Sequence, residues 1–150
     1  MHLQVRLSPT ASPPDVDKLL GRLADANINL VAIGGSNIEF GGELALVPEE
    51  GQEDAMVAVL EQFHYRHRVL RVEDNVGLTL CEVKNEVGAL HACLSQVAEE
   101  NLVRGRIIRD ILIGVPDEDL RANDLVPVQV YSEAVRTPAA LADPDNGGVA

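Results

Sequence analysis

The chain has 150 residues and a formal net charge of −12, and 46% of its residues are hydrophobic. This length and this hydrophobic fraction are enough to form the core of one domain or of two small ones. The negative charge disfavours nucleic acid and anionic membrane surfaces as partners, because both require a basic protein surface. No apolar segment approaches the roughly 20 residues that a membrane span needs, and nothing resembles a signal peptide. We therefore expect a cytoplasmic protein, in which the two cysteines stay reduced.

The first half of the chain predicts the order strand, helix, strand, strand, helix, strand. Period-2 alternation and β-branched residues indicate strands at 3–7, 28–36, 43–47 and 68–72. One helix, capped by Ser12, should run to about residue 26, and another should begin near Glu53. A tight turn at 40–42 should join the middle strands. This order is typical of the α+β ferredoxin-like fold, βαββαβ, with a four-stranded antiparallel sheet and both helices on one face.

A second amphipathic helix pattern lies 74 residues after the first and indicates a duplication. The apolar face of the later helix is predicted to comprise Leu90, Cys93, Leu94, Val97 and Ala98, at the i, i+3, i+4, i+7 and i+8 spacing of one helix face. The matching face of the earlier helix comprises Val16, Leu19, Leu20, Leu23 and Ala24. We therefore expect two ferredoxin-like units in tandem, at 1–73 and 74–136, followed by a disordered tail at 137–150.

The second unit matches the first only in its opening elements. A strand is predicted at 76–83, a loop at 84–87, a helix at 88–100, and strands at 104–115 and 126–131. Residues 116–125 allow two interpretations. Pro116 followed by three acids resembles a helix start, and Pro127 suits an edge strand. The shortness of this unit instead favours a hairpin loop, with the last helix and strand missing, and we slightly prefer the loop.

The junction between strand and helix in the second unit is the candidate functional site. It has the sequence Asn85-Glu86-Val87-Gly88-Ala89-Leu90. With the duplication and the βαββαβ order, this segment resembles the ACT domain, an amino-acid-binding regulatory module. The resemblance implies that a small amino acid binds at this loop, often between two such domains. It also implies regulation of a separate enzyme or regulator, and self-association as a homodimer. The basic residue and proline usual before the glycine are replaced here by Glu86 and Val87.

The chemistry of this segment supports the same site. A helix N-terminus offers unpaired N–H groups to a carboxylate, and Gly88 allows a ligand to approach the backbone closely. Asn85 could bind a polar group of the ligand, and Leu90 should lie on the core face of the helix. Alternatively, Gly88 only makes a tight turn.

The equivalent position in the first unit is predicted to be degenerate. Pro13 and Pro14 remove N–H donors there, and Asp15 and Asp17 would repel a carboxylate.

We predict no catalytic residues, no metal and no cofactor. His64 and His67 follow the end of a predicted helix, where positively charged residues interact favourably with the negative end of the helix dipole. His91 and Cys93 lack the spacing of metal ligands, and Cys81 and Cys93 are expected to be small buried thiols. Two hypotheses follow: an amino-acid sensor that acts on a partner protein, and a ligand-free module for protein–protein assembly. A small hydrolase or metalloenzyme is the least favoured alternative.

Overall fold

The computed structural model describes residues 1–7, 13–36 and 42–135; for residues 13, 14 and 36 it describes the backbone only. The strands are β1 (Leu3–Leu7), β2 (Leu30–Ser36), β3 (Glu43–Pro48), β4 (His67–Arg71), β5 (Leu78–Lys84), β6 (Arg106–Ile113) and β7 (Leu125–Ala134). The α-helices are α1 (Pro13–Asp25), α2 (Glu53–Gln62), α3 (Ala89–Val103) and α4 (Glu118–Ala122), and a 3-10 helix spans Val72–Asp74. The predicted cap Ser12, residues 40 and 41 of the predicted turn, and the predicted disordered tail at 137–150 lie outside the described residues.

The first half of the chain forms the four-stranded antiparallel sheet that its sequence predicts. The strand order is β2-β3-β1-β4. Apolar side chains of β1 and β3 lie in one cluster with those of α1 and α2, so both helices cover the same face. The cluster is built from Leu3, Val5, Leu7, Leu19, Leu23, Ile28, Leu44, Leu46, Met56, Val59 and Leu60. The ferredoxin-like prediction for this half is confirmed.

The second half forms a three-stranded antiparallel sheet with the order β5-β7-β6, and α3 packs against it. Because β6 pairs directly with β7, the segment 116–125 is a hairpin connection, as we preferred. It also contains the short helix α4, whose start is capped by the Asp117 side chain accepting a hydrogen bond from the Leu120 N–H at 2.8 Å. No further helix or fourth strand follows among the described residues of this half.

The two sheets pack face to face, with their helices on the outside. Leu112 of β6 packs against Ala32 of β2 and against two residues of β3, Ala45 and Val47. At the opposite side of the interface, a second apolar cluster joins β4, β5 and β7 through Leu70, Leu78 and Tyr131. The Val115 N–H donates to the Val31 carbonyl at 3.0 Å and so links the edge strand β2 to the chain leaving β6. The result is a helix–sheet–sheet–helix sandwich.

The predicted apolar face is correct for α1 and partly wrong for α3. In α1 only Ala24 of the five predicted residues is exposed. In α3, Cys93, Leu94 and Val97 pack inward, but Leu90 is 37% exposed and Ala98 is exposed as well. The buried polar residue Asn101 continues the inner face instead. The physical reason is that α1 has α2 beside it, whereas no second long helix flanks α3 within the described part of the chain.

None of the described helices is long and apolar enough to cross a membrane.

Candidate functional site

The predicted site residues lie together where β5 ends and α3 begins. The turn is built by backbone hydrogen bonds: the Glu86 N–H donates to the Lys84 carbonyl at 2.9 Å, and the Ala89 N–H to the Glu86 carbonyl at 3.3 Å. The Asn85 N–H donates to the carbonyl of Asp124 at 3.0 Å, which anchors the loop to the start of β7. The sequence therefore places this segment correctly at a strand-to-helix junction.

Gly88 is the N-cap of α3, with a φ of 86° in the left-handed region. A side chain is strained in this conformation, so the glycine is explained by the turn itself. A Cβ built at this position would meet no atom within 4 Å, so the space beside it is open. The tight-turn interpretation thus accounts for Gly88, and the open space is also what a ligand at the helix start would require.

The loop is exposed, with Asn85, Glu86, Val87 and Gly88 all facing solvent and Ala89 half-buried. Leu90 was predicted on the core face, but it lies largely toward solvent at the edge of that face. Five of the six predicted residues therefore lie on an open surface, and Ala89 lies partly beneath it. A carboxylate bound there would contact backbone groups on an open surface, and a covering element would have to come from another molecule or segment.

The start of α3 differs electrostatically from the other helices. Helices α1, α2 and α4 each carry an acid in the first turn, whereas α3 carries none, and no side chain caps its N-terminus. The partial positive charge of this helix end is therefore not offset by an acid in the first turn, which suits an anion. In α1 the first two positions are Pro13 and Pro14, with Asp15 next. The degenerate first site stays a prediction.

A buried polar network joins the two sheets, and the sequence patterns did not reveal it. Arg6 of β1 is only 4% exposed; it donates to Glu43 at 2.8 Å and to Asp110 of β6 at 2.5 Å. Its guanidinium also lies 4.0 Å from the ring centroid of Tyr131. Burial lowers the pKa of Arg6, but hydrogen bonds and charge from Asp110 and Glu43 outweigh this and raise the pKa above its ordinary value. Because these groups already satisfy one another, the network has a structural role.

A cavity of about 420 Å³ lies between the two halves of the chain, away from the predicted loop. Its walls come from the start of β2, the turn after β3 and the connection between β6 and β7. Leu30 and Leu120 give it an apolar part, and Glu49, Glu50 and Arg121 give it charge. No periodic signal in the sequence could have located it, because it depends on how the two sheets meet.

The histidines and cysteines lie in separate environments. His64 and His91 are exposed, and His67 contacts the Tyr65 carbonyl through Nδ1 at 2.9 Å. Across residues 1–7, 13–36 and 42–135, no three His, Cys, Asp or Glu side chains come close enough together to hold a metal ion. The expectation of no metal and no cofactor stays a prediction. Cys81 and Cys93 are free and half-buried.

Comparison with known proteins identifies the fold. No protein-family model matches the sequence, and no curated protein matches it either. Among solved structures, a protein from Bacteroides thetaiotaomicron matches with a TM-score of 0.61 and 17% identity, over 87% of this chain and 78% of that one. The ligand-free regulatory subunit of aspartate kinase from Thermus thermophilus matches with a TM-score of 0.55 and 16% identity, over 93% and 88%. A structure of the aspartokinase alpha and beta subunits gives 0.52 and 17%, over 86% and 81%.

At 16–17% identity, these similarities concern the fold alone. The neighbours include a regulatory subunit, and the α+β architecture agrees with the two-unit arrangement predicted from the sequence. The chain therefore has an ACT-like fold, in which the second of its two ferredoxin-like units lacks the last helix and strand within the described residues.

Proposed function

We propose that this chain is a non-catalytic regulatory protein that binds a small amino acid at the start of α3 and passes the signal to a partner protein. The observation that carries the proposal is the helix N-terminus at Gly88, which has no side-chain cap and no acid in its first turn. The carboxylate of an amino acid would accept hydrogen bonds from the N–H groups of this turn. The similarity in fold to a regulatory subunit supports regulation over catalysis.

The proposed organisation is two domains, at 1–73 and 74–136, in a cytoplasmic homodimer. Exposed large apolar residues are concentrated in the second unit, which favours self-association there. Ile107, Ile111 and Ile113 of the edge strand β6 are all more than 40% exposed. Edge strands also offer unpaired backbone groups to a second chain. A neighbouring copy at β6 would supply a cover for the open loop at Gly88.

The ligand is tested by measuring the melting temperature with each proteinogenic amino acid. A ligand at 100 times its dissociation constant stabilises the folded state by about 2.7 kcal/mol. At about 2–4 °C per kcal/mol for a chain of this size, the melting temperature should rise by about 5–10 °C. If the chain instead has the second candidate function, a ligand-free assembly module, no amino acid should shift the melting temperature.

The position of the site is tested at His91, the third residue of α3, which is exposed. His91→Glu places a carboxylate in the first turn, where it interacts with the helix start and repels a ligand carboxylate. This variant should melt slightly higher without ligand and lose the ligand-induced shift. His91→Gln is the matched neutral control and should keep the shift.

Gly88→Val is a poor test, because the positive φ strains any side chain whether or not a ligand binds. A shift that survives in His91→Glu but disappears in Leu120→Glu would move the ligand to the cavity between the sheets. Light scattering that gives a monomer mass over a wide concentration range would refute the homodimer.

A further inference from the structure

The cavity of about 420 Å³ between the two halves of the chain has acids on both of its walls. On the wall from the first unit, Glu49 and Glu50 follow directly after β3. On the wall from the second unit, Asp117 precedes α4 as its N-cap. The Asn29 side chain donates to Glu49 at 3.5 Å, and the Leu120 N–H donates to Asp117 at 2.8 Å. Neutral donors therefore hold a carboxylate on each side of the cavity.

Between the two walls the cavity is lined by apolar side chains. They are Leu30 and Val31 of β2, Val115, Pro116 and Leu120 of the connection between β6 and β7, and Pro127 of β7. The Val115 N–H donates to the Val31 carbonyl at 3.0 Å and ties the two units together here. Small-molecule sites typically have volumes of about 300–1,000 Å³ and mostly apolar walls with a few charged groups, and they are frequent between domains. This cavity has each of these properties.

The charged side chains of the cavity do not neutralise one another. Glu49, Glu50, Asp117 and Arg121 are all exposed. Among the described residues, no ion pair within 4.0 Å joins Arg121 to any of the three acids. Arg121 instead donates to the Pro116 carbonyl of its own loop at 3.1 Å. Three acids against one arginine leave an excess of negative charge in the cavity, which attracts a cation.

We propose that this cavity binds a small aliphatic diamine. One ammonium group lies at Glu49 and Glu50, the other lies at Asp117, and the methylene chain between them packs against Leu30 and Leu120. Burial of the chain removes apolar surface from water, and each ammonium group is attracted to the carboxylates of one wall. A ligand with a carboxylate fits less well, because acids line both walls.

The diamine would contact both units at once and so stabilise their observed alignment. The inference goes beyond the proposed function and does not rest on it, since the loop at Gly88 takes no part in this cavity. His91→Glu, which should abolish amino-acid binding at the start of α3, should therefore leave diamine binding unchanged. An amino-acid scan without any shift in melting temperature would refute the proposed function and leave this inference standing.

The test measures the binding of cadaverine to the full chain by isothermal titration calorimetry at constant ionic strength. We expect one saturable site per chain. Pentylamine has the same carbon chain with a single ammonium group, and the magnesium ion has the charge of cadaverine without the chain. Both should bind more weakly than cadaverine. If cadaverine shows no saturable binding at millimolar concentrations, or binds no more tightly than magnesium or pentylamine, the proposal is overturned.

Charge variants locate the two ammonium groups. Glu50→Gln and Asp117→Asn should each weaken binding by up to about fivefold, as expected for the loss of one exposed charge pair. Asparagine at position 117 still accepts from the Leu120 N–H, so the cap of α4 is kept. Glu118→Gln is the matched control, because Glu118 belongs to α4 but does not line the cavity, and its affinity should be unchanged. A loss in Glu118→Gln equal to that in Glu50→Gln would show general charge screening and overturn the proposal.

Two neighbouring positions test the interior of the cavity. Leu120→Lys places a cation against the methylene chain and should abolish cadaverine binding, whereas Leu120→Met keeps an apolar side chain and should retain it. Arg121→Gln removes a like charge and should tighten binding. Melting without ligand checks that each variant is folded. Binding that survives in Leu120→Lys, or that weakens in Arg121→Gln, would contradict a diamine at this position.

Discussion

Replacing Arg6 by methionine is the sharpest test of the face-to-face packing of the two sheets. Methionine keeps an unbranched side chain of similar length but removes the charge and all of the hydrogen bonds. Arg6 donates to Glu43, to Asp110 and to the Gln4 side chain, and it stacks on Tyr131. Glu43 belongs to the first sheet and Asp110 to the second, so one substitution releases contacts on both sides of the interface.

The expected loss is about 3 kcal/mol of unfolding free energy. Each hydrogen bond to a charged group contributes about 1.5–3 kcal/mol, and the stack on the ring adds about 1 kcal/mol. Breaking a fully buried ion pair costs about 3–5 kcal/mol. Here the side chains of Glu43 and Asp110 are 33% and 32% exposed, so water partly replaces the lost arginine and the estimate falls at the lower end.

The measurement is urea-induced unfolding of the wild type and the variant, with thermal melting as a second readout. At about 2–4 °C per kcal/mol, Arg6→Met should lower the melting temperature by about 6–12 °C. Arg109→Met is the matched control, because Arg109 pairs with Glu133 at 2.9 Å on the surface, with side chains 55% and 39% exposed. Arg109→Met should lower the free energy of unfolding by less than about 1 kcal/mol. If the two variants lose the same stability within about 0.5 kcal/mol, the reasoning about the interface is refuted.

Three further predictions concern substitutions at single positions. Gly77→Ala should destabilise the fold by more than about 2 kcal/mol, because a Cβ there would lie 2.4 Å from the Ser132 carbonyl oxygen; Gly88→Ala, with open space, should cost about 1 kcal/mol. Asn101→Ala should cost about 1–3 kcal/mol in urea unfolding, because the Ser132 hydroxyl donates to the buried amide at 2.8 Å, and an undiminished stability would contradict this. Folding raises the pKa of Cys81 from 9.0 to about 12, so the unfolded chain releases this proton first. The free energy of unfolding should therefore fall between about pH 9 and pH 12, and Cys81→Ser should remove that part of the fall.

The first unit was predictable because its core follows local periodicity. In α1 the residues Leu19 and Leu23 are almost fully buried, as the helical spacing indicates, and Leu3, Val5 and Leu7 form the inward face of β1. The loop at Gly88 was also placed correctly, because a glycine between a strand pattern and a helix pattern marks a junction. The exposure of Leu90 was not predictable in this way, since it depends on which element flanks α3. A helical pattern gives the apolar face and leaves open how much of that face is covered.

The polar residues of β1 show why the face-to-face packing of the two sheets could not be predicted from the sequence. Gln4 and Arg6 alternate with apolar residues, a pattern typical of a strand with one side in water. Both are buried, because the second sheet covers that side with partners more than a hundred residues away. The Gln129 amide accepts from Gln4 at 3.0 Å and donates to the Leu3 carbonyl at 3.1 Å, so its polar atoms are satisfied inside the interface.

Such a polar interface explains how two sheets of a duplicated chain take one relative position. Apolar faces alone would pack at several registers with similar energy, because the hydrophobic effect has little directional preference. At any other register these hydrogen bonds would be broken, and each buried polar group left without a partner would cost about 1–3 kcal/mol. The pairs formed by Gln4 with Gln129 and by Arg6 with Asp110 therefore favour one alignment of β1 over β7 and β6. This alignment holds the helices on the outer faces, which leaves the start of α3 accessible for the regulatory role that we propose.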